Sequence, residues 1–221
     1  MNLSKYLDLA NHHADATPQD IRELCQKVKK YGFNSAFVNP SYITLARDVL
    51  GSSGAVGTVI AFPLGQETKD IKIVSAISYI KLGADELDVS INVGLFKTGE
   101  HESVLEEMKA IVTVSKETKK PTIVKFIIET GFLTDDEIKK ASELVLESGA
   151  DFVKTCSGMG PRGATLKDVE LVKSAVGGKI KIKVAGGITN YKQALEFINA
   201  GADRIGTSHA VEIVEQSKIT V

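Results

Sequence analysis

Two cysteines, Cys25 and Cys156, are all the thiols in this 221-residue chain. They are too few for a disulfide framework, and their separation suggests no metal site. A reducing compartment, the cytoplasm, is the expectation. An excess of charge is missing too: 27 Lys and Arg stand against 28 Asp and Glu, for a net charge of −1. That balance removes the electrostatic case for nucleic acid or an anionic membrane as a partner, so any basic site must be local. No apolar run reaches about 18 residues, the length a spanning helix needs. The opening Met1-Asn2-Leu3-Ser4-Lys5 leads straight into mixed polar sequence, without a secretory apolar region. What remains is an ordinary globular composition, 43% hydrophobic and 25% charged. It suits one sizeable core, and one domain is expected over residues 1–221.

A recurring phrase organises the chain. Gly83-Ala84-Asp85-Glu86-Leu87-Asp88, Gly149-Ala150-Asp151-Phe152-Val153-Lys154 and Gly201-Ala202-Asp203-Arg204-Ile205-Gly206 share one pattern, with Gly32-Phe33-Asn34-Ser35-Ala36-Phe37 a looser copy. Each follows an amphipathic stretch and precedes a strand-like run, so each glycine reads as a residue just past a helix end. The fifth residue after the glycine then falls near the strand's C-terminal end. In the three close copies that residue is Asp88, Lys154 or Gly206.

Strands are expected at Tyr6–Leu9, Asn34–Asn39, Val56–Phe62, Glu86–Ile91, Thr122–Glu129, Asp151–Thr155, Ile180–Ala185 and Arg204–Thr207. Helical stretches alternate with them and carry start signals: Thr17-Pro18, and capping boxes at Thr134–Glu137 and Asn190–Gln193. The stretch Glu102–Lys120 opens with acids and closes with lysines, which complements a helix dipole and reads as a solvated face. Eight βα units without a linker predict a closed (β/α)8 TIM barrel, with an open doubly wound sheet as the alternative. In either, a site belongs on the loops after the strands' C-terminal ends.

The chemistry centres on lysines. Lys154 arrives where a short buried strand should finish, and Lys183 sits at the end of the next strand, in Lys179-Ile180-Lys181-Ile182-Lys183-Val184. Strict alternation there puts isoleucine and valine on one face and lysines on the other, so the lysine face points into the barrel with Lys183 nearest its rim. Lys125 is an isolated charge in the apolar run Thr122–Glu129; as a structural residue it would pair with Asp8, Asp88 or Glu129. Burying an ammonium is costly unless it is paired or loses its proton, and a neighbouring cation pushes it the same way. A lysine driven toward the free amine adds to a carbonyl carbon and forms an iminium ion, an electron sink for carbon–carbon cleavage. Asp88 is placed to move the protons, although strand-end aspartates also serve as caps or barrel ion pairs.

Glycine loops supply a second signal. Gly186-Gly187-Ile188-Thr189 precedes the helix capped near Asn190, and Gly206-Thr207-Ser208 precedes another helical stretch. Glycines admit an anion close to backbone N–H groups, and the last two units of such barrels are the usual phosphate position. His12 and His13, after the first strand, read as surface residues with no metal set around them. His209 adjoins Ser208 and is near enough to touch phosphate; His101 looks solvated; Cys156 reads as an apolar filler that lines the pocket.

With these residues in view, the chain resembles the deoxyribose-phosphate aldolase family, class I (Schiff-base) aldolases of the barrel type. The likeness runs from Leu7 to Val211. It is carried by Asp8 with Asp15-Ala16-Thr17, Val38-Asn39-Pro40, Phe62-Pro63-Leu64-Gly65, Glu86–Gly94, Lys125–Thr130, Phe152–Thr155, Gly163-Ala164-Thr165 and Lys183–Ile188. The resemblance implies Lys154 as the Schiff-base lysine, Lys183 as the cation that depresses its pKa, and Asp88 as the proton relay, supported by Asp8 and Lys125. Gly158, Gly186, Gly187, Gly206 and Ser208 match positions that hold the substrate phosphate. It implies reversible cleavage of 2-deoxy-D-ribose 5-phosphate to D-glyceraldehyde 3-phosphate and acetaldehyde, in deoxyribonucleoside catabolism, with no metal or other cofactor. A homo-oligomer, dimer or tetramer, is expected. The segment Leu9-Ala10-Asn11-His12-His13 replaces the commoner Asp-His-Thr-Leu-Leu style of opening. Another Schiff-base aldolase or thiolase, or a non-catalytic phosphosugar-binding barrel, are the other readings.

Overall fold

A computed structural model describes residues 2–118 and 121–219. Eight parallel strands, β1 (Leu7–Asn11), β2 (Ser35–Val38), β3 (Ala55–Ile60), β4 (Glu86–Ser90), β5 (Ile123–Ile127), β6 (Phe152–Lys154), β7 (Lys181–Ala185) and β8 (Arg204–Thr207), pair in sequence order. Leu7, Asp8 and Leu9 of β1 pair with Ile205, Gly206 and Thr207 of β8, which closes the ring. The fold is therefore the (β/α)8 TIM barrel, and the open-sheet alternative falls. The helices are α1 (Pro18–Tyr31), α2 (Ile43–Leu50), α3 (Lys69–Lys81), α4 (Val93–Lys97), α5 (His101–Lys116), α6 (Asp135–Glu147), α7 (Leu166–Val176), α8 (Tyr191–Ala200) and α9 (Ala210–Ile219).

Period-two alternation sorts the strand residues onto two faces. Leu7, Leu9, Ala36, Val38, Val56, Ile60, Leu87, Val89, Val124, Phe126, Val153, Ile182, Val184 and Ile205 pack outward in the apolar core under the helices. The other face fills the barrel, and there it is charged and aromatic: Asp8, Phe37, Glu86, Asp88, Lys125, Phe152, Lys154, Lys183 and Arg204.

Gly32, Gly83, Gly149 and Gly201 all adopt positive φ just past α1, α3, α6 and α8, so the repeated phrase marks the turn from helix to strand. Two expected strands stop two residues early. After β3, Ala61 takes φ +53, and after β5, Glu129 takes φ +52, so Phe62 and Glu129 leave the ladder. At helix starts, Thr17 and Thr134 form capping boxes with Asp20 and Glu137. Asn190 caps α8 through Gln193 N, but the Gln193 carboxamide accepts from Thr189 N instead of returning to Asn190. Thr165 with Asp168 forms a further capping box at the start of α7. The charge pattern of Glu102–Lys120 is only partly solvated. Glu107 is buried and receives Lys72 Nζ of α3 at 2.6 Å, because α3 and α5 pack side by side and bury both groups; Lys120 lies outside the described residues. Lys72 also donates to Ser90 O at 3.1 Å.

Candidate active site

Strand register brings the predicted residues to one level of the barrel. Asp88 pairs across with Lys125, Lys154 with Lys183, and Asp8 with Gly206. Inward-pointing side chains from these positions meet in the centre. Asp88 Oδ2 accepts from Lys154 Nζ and from Lys183 Nζ, each at 2.8 Å. Lys183 Nζ also lies 2.8 Å from Asp8 Oδ2. Lys125 Nζ approaches Asp88 Oδ1 at 3.2 Å and Glu86 Oε2 at 2.5 Å. Arg204 Nη1 donates to Asp8 Oδ1 at 2.7 Å and stands 3.7 Å from Glu86 Oε1.

The partners of Lys125 are thus Glu86 and Asp88. Glu129, offered as a partner from the sequence, sits above the barrel, where its Oε2 accepts from Ser157 N at 3.0 Å. Its left-handed backbone is what carries it out of the strand. Glu86 and Arg204 were missed, yet both occupy inward positions two residues before Asp88 and Gly206, so alternation alone finds them.

Charge balance distinguishes the lysines. Four cations (Lys125, Lys154, Lys183, Arg204) face three carboxylates (Asp8, Glu86, Asp88) among the described residues of this network. Lys125 sits between two acids: burial pulls its pKa down, but Glu86, Asp88 and Asp8 outweigh that and raise it. Lys154 has only Asp88. Burial lowers its pKa first, Asp88 opposes, and Lys183 and then Lys125 add to the lowering. The surplus proton of the network is therefore most easily shed from Lys154. For Asp88, burial alone would raise the pKa, but Lys154, Lys183 and Lys125 hold the carboxyl well below the usual range. Asp8 is held below its usual value in the same way, by Lys183, Arg204 and Lys125 against burial.

Aromatic faces complete the packing. Lys183 Nζ lies 3.5 Å from the Phe37 ring centre, with Lys125 Nζ on the same ring at 4.8 Å. Lys154 Nζ lies 5.8 Å from Phe62. Such faces support a cation or cover an amine without a second carboxylate.

Above this layer opens a cavity of about 300 Å³, lined by Asp88, Lys154 and Lys183 at its floor. Gly158, Gly186, Gly187, Gly206 and Ser208, the five predicted anion-binding positions, all line it. Gly186 holds φ +96, and a Cβ there would meet the Cβ of Cys156 and the Cα of Gly163 at 3.3 Å each. The loops after β6 and β7 therefore pack backbone to backbone, leaving N–H groups free of shielding side chains. His209 and His13 are exposed at the rim and also line the cavity.

Three weaker expectations need correction. Cys156 does not line the cavity: it is fully buried, with Sγ 3.1 Å from Thr130 Oγ1, and burial raises its thiol pKa. The filler role stands, because β6 ends at Lys154 and turns Cys156 behind the loop. His101 is half-buried against Phe96, ring centres 4.8 Å apart, because α4 folds back on α5. His12 is half-buried in the cavity wall instead of on the surface, its ring on Phe62 at 5.2 Å. Asp15 and Thr17, by contrast, are exposed.

Known proteins resemble this chain along nearly its whole length. The family described as DeoC/LacD family aldolase matches residues 3–210. The deoxyribose-phosphate aldolase of Thermococcus gammatolerans is 45% identical, over 99% of this chain and 97% of its own length. That of Thermococcus kodakarensis is 45% identical over 96% of both chains. Among solved structures, the aldolase QR15 superposes with a TM-score of 0.93 at 38% identity, covering 98% of this chain and 96% of its own. The Aeropyrum pernix deoxyribose phosphate aldolase, described as tetrameric, gives 0.91 at 32% identity, covering 99% and 92%. A barrel with this lysine–aspartate floor, matched along nearly its whole length, belongs to the DeoC/LacD family of aldolases.

Proposed function

We propose that this chain cleaves 2-deoxy-D-ribose 5-phosphate reversibly to D-glyceraldehyde 3-phosphate and acetaldehyde through a Schiff base on Lys154. The observation that carries the reading is Lys154 Nζ on the cavity floor, 2.8 Å from the carboxylate it shares with Lys183, in a network with one proton too many. The amine adds to C1 of the open-chain sugar phosphate, and loss of water leaves an iminium ion. Deprotonation of the C3 hydroxyl then breaks the C2–C3 bond. Its electron pair moves into the iminium to give an enamine, and C3 departs as the aldehyde carbon of D-glyceraldehyde 3-phosphate. The enamine takes a proton at C2, and water releases acetaldehyde and restores the amine.

Asp88 takes and returns protons in these steps, since it is held ionised beside Nζ. Lys183 keeps Lys154 short of a proton, while Asp8 and Lys125 hold Lys183 and Asp88 in place. The phosphate rests on Gly158, Gly186, Gly187, Gly206 and Ser208, with the starts of α8 and α9 behind the last two loops.

Residues 1–221 act as one domain in this reading. No described helix is long and apolar enough to cross a membrane, and a reducing cytoplasm suits two buried free thiols. A homo-oligomer fits the outward face of α3 and the turn after it, which expose Ile71, Val74, Ile77 and Leu82; light scattering on the purified protein tests it.

Reduction with cyanoborohydride in the presence of acetaldehyde, followed by peptide mass analysis, tests the chemistry. An ethyl group on Lys154, with release of glyceraldehyde 3-phosphate from the sugar phosphate, is expected. An adduct elsewhere, or none, overturns the assignment.

A further inference from the structure

Among the polar groups of the cavity wall that the mechanism above leaves without a task, His12 is set apart by a buried ring nitrogen with no hydrogen-bond partner. His12 follows β1 in the loop of residues 12–17, and its ring is wedged between Phe37, at 6.4 Å and near-perpendicular, and Phe62, at 5.2 Å. These two rings face Lys183 and Lys154 respectively. His12 therefore stands over the reacting end of the cavity with its orientation held from two sides.

Its Nδ1 is buried and has no hydrogen-bond partner, although the Asn39 side chain is close enough to the ring to oppose the fall in its pKa. A buried nitrogen left unpaired is costly, and an exception to the rule that buried polar groups are hydrogen-bonded calls for an explanation; in a cavity wall, a ligand can supply the partner. The imidazole is also neutral. Burial, then the charge of Lys154, push its pKa down to about 3. A neutral imidazole carries one N–H donor and one lone pair, and so matches a hydroxyl, which both gives and accepts. A charged or purely acidic ligand group is not what it fits. The phosphate has its own wall across the cavity, on the loops after β6, β7 and β8.

Resting on the Schiff-base reading of Lys154, we propose that His12 hydrogen-bonds a hydroxyl of the aldehyde half of the substrate and so selects hydroxylated acceptors over plain alkanals. A site built to pair a substrate hydroxyl discriminates against analogues that lack it, because its own polar group is then stranded. The residue lies in this chain's opening segment, Leu9-Ala10-Asn11-His12-His13.

The test compares aldol addition of acetaldehyde to D-glyceraldehyde 3-phosphate and to propanal, in the wild type, His12→Leu and His12→Gln. For His12→Leu the ratio of the two kcat/KM values is expected to fall roughly tenfold or more, about the worth of one hydrogen bond. His12→Gln, which keeps a donor and an acceptor, should recover part of that ratio. A ratio unchanged in His12→Leu, or equal losses on both aldehydes in both variants, would show a packing residue and overturn the proposal. Trapping of acetaldehyde on Lys154 in the wild type is run alongside. If that adduct is absent, the Schiff-base reading itself fails and His12 loses its role with it.

Discussion

Replacing Lys183 by methionine tests how the network sets the protonation of Lys154. Both ammonium nitrogens lie 2.8 Å from Asp88 Oδ2, so they are at most twice that distance apart. Two unit charges at that separation repel by about 3 kcal/mol at an effective dielectric of about 20. That energy corresponds to roughly a hundredfold in the ratio of amine to ammonium at Lys154. The sign follows from the charges. Lys183 disfavours the Lys154 ammonium, so its removal favours the protonated, unreactive form, and Asp88, with one cation fewer, then holds that proton more tightly. Both effects move the alkaline-favoured limb of the pH profile upward. The initial rate of cyanoborohydride-trapped adduct with acetaldehyde should therefore fall roughly a hundredfold near pH 7, and the deficit should shrink toward pH 10. A deficit of the same size at every pH would refute the argument, because it would show loss of geometry in place of loss of charge.

Three further outcomes are expected. Lys154→Ala should lose more than about a thousandfold in turnover while far-ultraviolet circular dichroism stays unchanged; a variant that keeps a few per cent of the rate contradicts the nucleophile. Gly57→Ala would drive a Cβ into the Phe37 ring on which Lys183 rests; overpacking of about 1–3 kcal/mol should appear in urea melts together with a fall in kcat, and full activity would show that Phe37 is not needed there. Glu107→Ala strands Lys72, which is fully buried, and should cost about 3–5 kcal/mol, lowering Tm by on the order of 10 °C. The double variant K72M/E107L should recover most of it, and a failure to recover would place the loss elsewhere than in the ion pair.

Much of this molecule was legible because the barrel repeats one instruction. The Gly-Ala-Asp phrase located three helix ends and three strand ends, and counting five residues onward reached Asp88, Lys154 and Gly206. Alternation in the stretch Lys179–Val184 put Lys183 inside and Ile182 outside. The loss of resolution came where the chain leaves regular structure. Ala61 and Glu129 turn left-handed without a glycine to announce it, so the expected strands run past the ends of β3 and β5. The burial of His12 depends on Phe37 and Phe62, 25 and 50 positions away in the chain, and no local pattern carries that information. The Lys72–Glu107 pair was hidden for the same reason, since each charge alone looks like a solvated helix position.

Gly206 gives the repeat its asymmetry. A methyl group there would stand 3.0 Å from Lys183 Cε and 3.4 Å from Ala185 Cβ. The third copy of the phrase thus ends in an empty seat, and the long side chain of the neighbouring strand reaches the middle of the ring by leaning through it. Even a methyl group at 206 would crowd that lysine and make it give by a few tenths of an ångström, so the open space is as much a part of the arrangement as the groups that surround it.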